Sequence, residues 1–250
     1  MRFIITFIFI ALLELTSSGQ IVNIESRRIQ SDTTGWLGNA KAGFLLQKNA
    51  VKVININAGA NVEYKSPRSL YLFLVNYSLL KGNGQSLANN LFYHLRYNYK
   101  INSLLRWEAF TQLQQNSVTG IKVRWLTGTG PRFKLSGSKK VLLYAGTAAM
   151  YELEREQTNP VIIHRDLRSS NYVSITYKLV ESAEIIGTLF FQPLFRNIND
   201  ARLLNEVSLK FQLMKNLSFA TNWYYLFDSR PAASTPKLNY SISNGIEYTF

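Results

Sequence analysis

The sequence contains no cysteine and only two histidines among its 250 residues. The lack of cysteine excludes a disulfide framework and a lipid anchor attached to cysteine. A zinc-type site needs clustered His, Cys or carboxylate ligands, and neither His94 nor His164 has a histidine partner at ligand spacing. We therefore predict no metal site and no cofactor.

Only one long apolar run is present, and it lies at the N-terminus. It covers residues 3–13, with Arg2 before it and small residues up to Gly19 after it. This layout is typical of a secretory signal peptide, and the run is shorter than the about 20 residues that a spanning helix needs. We predict a signal peptide at 1–19, a polar lead-in at 20–34, and no transmembrane helix.

Acidic residues are few, since 15 Asp and Glu stand against 28 Lys and Arg, for a net charge of +13. A basic exported protein can meet nucleic acid, acidic glycans or anionic lipid headgroups. Net charge does not distinguish these partners, so the placement of the charges has to decide.

Two-residue alternation is abundant in the rest of the chain. Aromatic residues make up 13% of the sequence and favour strands. Twelve segments place apolar residues at every second position, with Lys, Arg, Asp, Glu and His confined to the positions between them. The segments are 36–46, 54–64, 71–79, 91–101, 105–113, 121–135, 141–153, 167–179, 185–195, 203–213, 217–227 and 238–250.

One apolar face and one charged face fit either a soluble sandwich or a transmembrane barrel. The barrel is favoured because the odd-numbered connections tend to be longer than the even-numbered ones, as in outer-membrane barrels. Aromatic residues also fall in two bands near the segment ends, as expected at membrane interfaces. We predict an all-β fold, a 12-stranded antiparallel transmembrane β-barrel at 35–250, in the outer membrane of a Gram-negative cell with both termini periplasmic.

The last segment, YSISNGIEYTF, is half apolar and would be an aggregation hazard as an exposed edge. We expect it to pair with the first segment and close the barrel. Its final aromatic residues, Tyr248 and Phe250, resemble the C-terminal signal that the barrel-assembly machinery reads during insertion. The predicted partners are therefore outer-membrane lipid and that machinery, with no nucleic acid.

Several motifs carry a resemblance to a known family. GWLGN at 35–39 opens the first segment, WEAFTQLQQNSVTGIKVRWLTGTGPRFKL covers 107–135, and YELE follows at 151–154. These resemble the salt-stress-induced outer-membrane proteins, the domain of unknown function 481. The positions that fit the family pattern are Arg124, Gly128, Gly130, Gly146, Tyr151 and Glu152.

The sequence departs from the family after the first strand, where the usual Gly-Asn-Thr is replaced by Gln47, Lys48 and Asn49. The resemblance covers about 35–180 well. It implies the barrel fold and an outer-membrane location, and it brings no settled biochemical activity.

The inward positions of the fourth to sixth segments carry a basic excess. This lumen-lining basic wall comprises Arg96, Arg106, Lys122, Arg124, Arg132 and Lys134, with Glu108 among them. One interpretation is an anion-attracting wall, and the other is an Arg–Glu network that braces a narrow barrel. Bulky inward residues favour a narrow, largely filled lumen; these are Phe92, Phe110, Leu126, Leu142, Tyr144, Ile186, Phe190, Leu194, Leu204 and Tyr224.

The outward face has an unusual area of small residues on the fifth to seventh segments. The residues of this small-residue face are Ala109, Thr111, Thr127, Thr129, Ala145, Thr147 and Ala149. A smooth patch would let another outer-membrane protein pack closely. The alternative is that small residues are simply tolerated against lipid.

No sequence signature of an enzyme accompanies these features. GxSxG, GxGxxG and phosphate-binding loops are missing. An enzyme that hydrolyses membrane lipid would need a histidine on the lipid side, whereas His94 has the inward phase. We predict a non-enzymatic accessory or scaffold subunit of an outer-membrane assembly, because the bulky inward residues argue against flow. The alternative is a narrow, anion-preferring channel for small solutes.

Overall fold

The computed structural model describes residues 34–214, 217–232 and 235–248, with side chains at the C-terminal end through Ile246. The predicted signal peptide, most of the lead-in and Phe250 lie outside the described residues. No helix in this part of the chain has the length and apolar character needed to cross a bilayer.

Twelve strands form one sheet in which every strand pairs antiparallel with its sequence neighbour. The predicted strand number and order are confirmed. The strands are β1 (Gly35–Lys48), β2 (Lys52–Lys65), β3 (Ser69–Gly82), β4 (Gln85–Lys100), β5 (Leu105–Asn116), β6 (Ile121–Gly137), β7 (Val141–Glu156), β8 (Ile163–Val180), β9 (Ala183–Leu194), β10 (Asn197–Met214), β11 (Leu217–Asp228) and β12 (Leu238–Tyr248). The pairing of β12 with β1 stays a prediction.

Period-two alternation sorts the side chains between the two faces of the sheet. On β8, Tyr172, Ser174 and Thr176 are buried on the inward face, whereas Val173 and Ile175 are exposed on the outward face. Successive side chains of a strand point to opposite faces, so one face can meet lipid while the other lines the lumen.

Aromatic rings mark one edge of the outward face. Trp36, Tyr64 and Tyr71 are exposed, and their ring centroids follow one another at 5.0 Å and 6.2 Å. They lie near the connection between β2 and β3, at the end that we call the turn end. The opposite end, with the connections 157–162 and 229–237, is the loop end.

The odd-numbered connections, all at the loop end, are not uniformly long. Between β3 and β4 only Asn83 and Gly84 remain outside the strands, whereas the sequence predicts a longer loop between the segments 71–79 and 91–101. Both residues have positive φ, 50° and 80°, as a tight two-residue hairpin turn requires. The strands therefore extend further toward the loop end than their apolar stretches indicate.

The predicted faces of the first residues of β6 are wrong, because a β-bulge lies between Ile121 and Val123. Ile121, assigned to the outward face, is fully buried, and Lys122, assigned to the lumen wall, is exposed. An extra residue at a bulge interrupts the alternation locally. Regular alternation resumes from Arg124, which is fully buried.

Glycines allow β6 and β7 to approach closely. A Cβ at Gly130 would lie 2.6 Å from the Ala148 Cα and closer still to the Thr147 carbonyl oxygen. At Gly146 a Cβ would overlap the ring of Tyr172, which crosses the lumen at this height. These inward positions therefore require glycine for packing, not for an unusual backbone conformation.

Candidate functional site

At the turn end the lumen widens into a cavity of about 790 Å³, the basic vestibule. Its charged lining consists of one acid, Glu63, and nine bases: Lys65, Arg68, Lys100, Arg106, Arg132, Lys134, Lys139, Lys140 and Lys178. Strands β2, β4, β5, β6 and β8 and the turns at 66–68 and 138–140 supply these side chains. Cations that share a concave wall of low dielectric raise the local concentration of anions.

Most of these cations lack a carboxylate partner. Lys65 pairs with Glu63 at 3.3 Å, and Arg132 pairs with Glu108 at 3.5 Å. The other seven make no ion pair with any residue that the structure describes. Hydroxyls and an amide, including those of Ser69, Asn98 and Ser174, complete the polar lining.

A polar cluster around Glu108 lies where the vestibule meets the filled part of the lumen. The Tyr172 hydroxyl donates to Glu108 Oε2 at 2.6 Å, and Arg132 Nη1 donates to the Tyr172 hydroxyl at 2.8 Å. The Arg132 guanidinium also lies 4.0 Å from the ring centroid of Tyr144. These contacts join β5, β6, β7 and β8 across the lumen and fix the direction of Arg132.

His94 and Arg96 extend this cluster onto β4. Arg96 Nη1 donates to Glu108 Oε2 at 3.4 Å, and His94 Nδ1 lies 3.2 Å from Gln112 Oε1. The imidazole stacks on Phe110, with ring centroids 6.0 Å apart. His94 is therefore a buried residue of the lumen, held by Gln112 and Phe110.

Apolar side chains fill much of the lumen at middle height. Tyr172, Phe190, Leu204 and Leu226 form one buried cluster with Tyr224 against it. Leu72, Leu74 and Phe92 form another, with Leu70 against it. Of the bulky inward residues expected to fill the lumen, Phe92, Phe190, Leu204 and Tyr224 belong to these clusters, whereas Leu142, Tyr144 and Ile186 line the vestibule. Leu72, Leu74 and Leu226 were not among the expected residues.

A second ionic network, the loop-end network, lies beyond these clusters. Arg124 pairs with Glu152 at 3.2 Å and donates to Glu154. Arg202 donates to Glu152 at 2.7 Å and to Asp228 at 2.9 Å. Because β10 and β7 are separated by two strands, the contact between Arg202 and Glu152 crosses the lumen.

Arg168 and Asp166, both on β8, continue the loop-end network. Arg168 bonds to Glu152 at 2.9 Å and to Asp200 at 2.8 Å. Asp166 accepts from Arg196 at 2.8 Å and from Arg230 at 3.0 Å. The carboxylates of this network were not among the site residues predicted from the sequence. Glu152 and Glu154 nevertheless lie at alternate positions of β7, on the same inward face as Gly146.

The predicted basic wall is therefore not a continuous surface. Arg106 and Lys134 line the vestibule, Arg132 and Arg96 belong to the Glu108 cluster, and Arg124 lies in the loop-end network. Lys122 is exposed beside the bulge. At Arg96, Arg124 and Arg132 the arrangement is the Arg–Glu bracing alternative, whereas Arg106 and Lys134 keep the character of an anion-attracting wall.

The small-residue face lies on the outward side of β5, β6 and β7. Thr129 Oγ1 donates to the Glu108 carbonyl at 2.8 Å, and Thr111 Oγ1 donates to the Leu126 carbonyl at 3.2 Å. Its threonine hydroxyls thus have partners within the barrel, which allows them to face lipid. A docking role for this face stays a prediction.

Two predictions remain, the assembly signal at the C-terminal end and the absence of a metal site. Tyr248 ends β12, and Phe250 is outside the described range. In the described part of the chain no group of three or more His, Cys, Asp or Glu side chains is arranged to hold a metal ion.

With this geometry established, the family comparison is decisive. A family model described as "Protein of unknown function, DUF481" matches residues 40–250. The chain belongs to this family. No curated protein matches the sequence.

The chain is also similar to solved structures of porins and of an autotransporter domain. NanC porin has 11% identity and a TM-score of 0.50, with 86% of this chain and 98% of that chain covered. KdgM porin has 12% identity and a TM-score of 0.43, with 86% and 99% covered. The translocator domain of autotransporter NalP from Neisseria meningitidis has 8% identity and a TM-score of 0.47, with 90% and 92% covered.

The likeness to NanC porin concerns the fold. Together with the family match, it confirms the predicted class, an all-β, 12-stranded barrel of the outer-membrane type.

Proposed function

We propose that this DUF481 protein is a narrow, porin-like barrel that admits small anionic solutes in preference to cations. The observation that carries the proposal is the basic vestibule, with nine Lys and Arg side chains against one carboxylate. A porin fold in NanC supports the same function class. This favours the channel alternative over the scaffold interpretation.

Selectivity would arise from the charge of the vestibule wall. A fixed cation about 10 Å from a permeating anion contributes about 0.4 kcal/mol in a water-filled lumen, and several such cations act together. Rings of Lys and Arg side chains are the usual selectivity device of anion pores. Lys134, Lys139 and Lys178 line the vestibule and have no ion pair in the described residues, so their charge is available to a solute.

Size selection would come from the Glu108 cluster. Arg132 belongs both to the vestibule lining and to this cluster, so a solute that leaves the vestibule meets its guanidinium first. Tyr144 and Tyr172 hold that guanidinium in place. The filled lumen beyond admits only small solutes and requires side chains there to move during passage.

We also propose that the turn end faces the periplasm and that both termini lie there. Twelve strands place the two termini at the same end. The longer connections, 157–162 and 229–237, both lie at the loop end, and outer-membrane barrels carry their longer loops outside the cell.

A triple substitution tests the proposal, Lys134→Gln with Lys139→Gln and Lys178→Gln. We expect the anion-to-cation permeability ratio in planar bilayers to fall about threefold at low salt, because three cations leave the lumen. The matched control is Lys48→Gln with Lys52→Gln and Lys81→Gln, which removes the same charge from the outer side of β1–β3. An equal loss of selectivity in the control, or none in the vestibule variant, would contradict the proposal.

The scaffold role is a second candidate, favoured by the apolar clusters that fill the lumen. It predicts stoichiometric partner proteins when the barrel is captured from its native membrane in mild detergent. Recovery of the barrel alone would remove this candidate. The absence of enzymatic activity stays a prediction under both proposals.

A further inference from the structure

The carboxylates at the loop end lie on the inward face of the barrel, where buried arginines pair with them, whereas the outward face carries cations without acidic partners in the described residues. The carboxylates there turn inward and are no more than 6% exposed; they are Glu152, Glu154, Glu156, Asp166, Asp200 and Asp228. The strand residues with charge on the outward phase are all basic, namely Lys48, Lys52 and Lys81 on β1–β3 and Arg155 and Arg165 on β7 and β8. The outer rim of this end is therefore positive.

Arg155 and Arg165 form the centre of a compact basic group. In the register of β7 and β8, Arg155 pairs with Ile163 and Leu153 pairs with Arg165. The two arginines are thus diagonal neighbours on the same face, about 7 Å apart by strand geometry. Both are exposed, and neither makes an ion pair with any residue in the described ranges.

Lys122 joins this group through the β-bulge on β6. Val123, the residue after it, pairs with Arg155, and Lys122 is exposed beside them. The bulge that removes Lys122 from the lumen lining therefore adds a third cation next to the two arginines. We call Lys122, Arg155 and Arg165 the outer basic patch.

The surroundings of the outer basic patch are those of a membrane interface. Below it on the outward face lie Trp125 and Tyr151, with ring centroids 6.3 Å apart, and aromatic rings favour the level of the headgroups. Beside it, Val161, Ile162 and Ile163 are 41–50% exposed. Cations next to exposed apolar side chains suit a lipid whose headgroup is anionic.

We propose that the outer basic patch binds the phosphate groups of a lipid headgroup in the adjoining leaflet. Two arginines on adjacent strands offer paired N–H donors to phosphate oxygens, and Lys122 adds a point charge. The apolar residues at 161–163 lie against the acyl region. Inward placement of the loop-end carboxylates keeps them from repelling the headgroup.

The test uses the purified full chain and native mass spectrometry with bisphosphorylated lipid A as the probe. We expect the double variant Arg155→Gln with Arg165→Gln to weaken lipid A binding about tenfold, since each cation near the headgroup adds to the affinity. The charge-conserving control, Arg155→Lys with Arg165→Lys, keeps both charges but loses the paired N–H donors, so it should bind lipid A more tightly than the glutamine variant and more weakly than the wild type. Urea unfolding of both variants checks that the barrel is intact.

Two further arms distinguish the lipid from other sources of phosphate. Dephosphorylated lipid A should bind the wild type as weakly as lipid A binds the glutamine variant. Inorganic phosphate at millimolar concentration should leave lipid A binding in place, because the acyl region also contacts the protein. Wild-type binding by the glutamine variant, equal binding of the dephosphorylated lipid, or complete displacement by inorganic phosphate would each overturn the proposal.

Discussion

Replacing Arg202 with alanine should lower the free energy of unfolding by about 3–5 kcal/mol, as removal of one partner of a buried ion pair does. Arg202 is 4% exposed and bonds to Glu152, Glu154 and Asp228. Without it, three buried carboxylates lose a cation and must be solvated or protonated. Urea unfolding of the barrel refolded into lipid vesicles measures the change.

The control for this substitution is Arg230→Ala at the same end of the barrel. Arg230 also pairs with two carboxylates, Asp166 at 3.0 Å and Asp200 at 3.1 Å, but its side chain is 44% exposed. Water screens such a pair, so we expect a loss of about 1 kcal/mol or less. Equal losses for Arg202 and Arg230 would show that burial does not govern the loop-end network.

Gly130→Ala should destabilise the barrel by about 3 kcal/mol or prevent refolding, in the upper range for overpacking of a core. The added methyl group would collide with the backbone of β7 at Thr147 and Ala148. Backbone atoms cannot rotate away as a side chain can, so β6 and β7 would have to separate. Urea unfolding in vesicles, with refolding yield as a second readout, measures the effect.

Gly43→Ala is the matched control for the glycine prediction. Gly43 also lies within a strand, β1, but a Cβ there would meet no atom within 4 Å. The same change should therefore alter the free energy of unfolding by less than about 0.5 kcal/mol. A Gly130 variant as stable as the Gly43 variant would contradict the close approach of β6 and β7.

The faces of the strands could be predicted from the sequence because alternation is a local property. A strand exposes every second residue, so the apolar set around Val173 and Ile175 identifies the lipid side without knowledge of any partner strand. The ends of the strands are harder to predict, because near the loop end the strands continue through polar residues that show no apolar alternation. The Asn83–Gly84 pair was a usable hairpin signal for one of these ends.

The ionic networks could not be predicted in the same way. Period two places Glu152 and Arg202 on the inward face, but it does not say which inward side chains meet across the lumen. That pairing depends on the curvature of the whole sheet. The bulge at Ile121–Val123 likewise leaves no mark in the alternation, and it moved Lys122 from the lumen wall to the outer basic patch.

The most direct test of the proposed function is the reversal potential of the wild-type barrel in a planar bilayer under a tenfold KCl gradient. Nine vestibule cations against one carboxylate predict a measurable conductance whose reversal potential has the sign of chloride preference. Lowering the salt should enlarge this preference, because screening weakens. A barrel that shows no conductance, or one that prefers potassium, would contradict the proposed function.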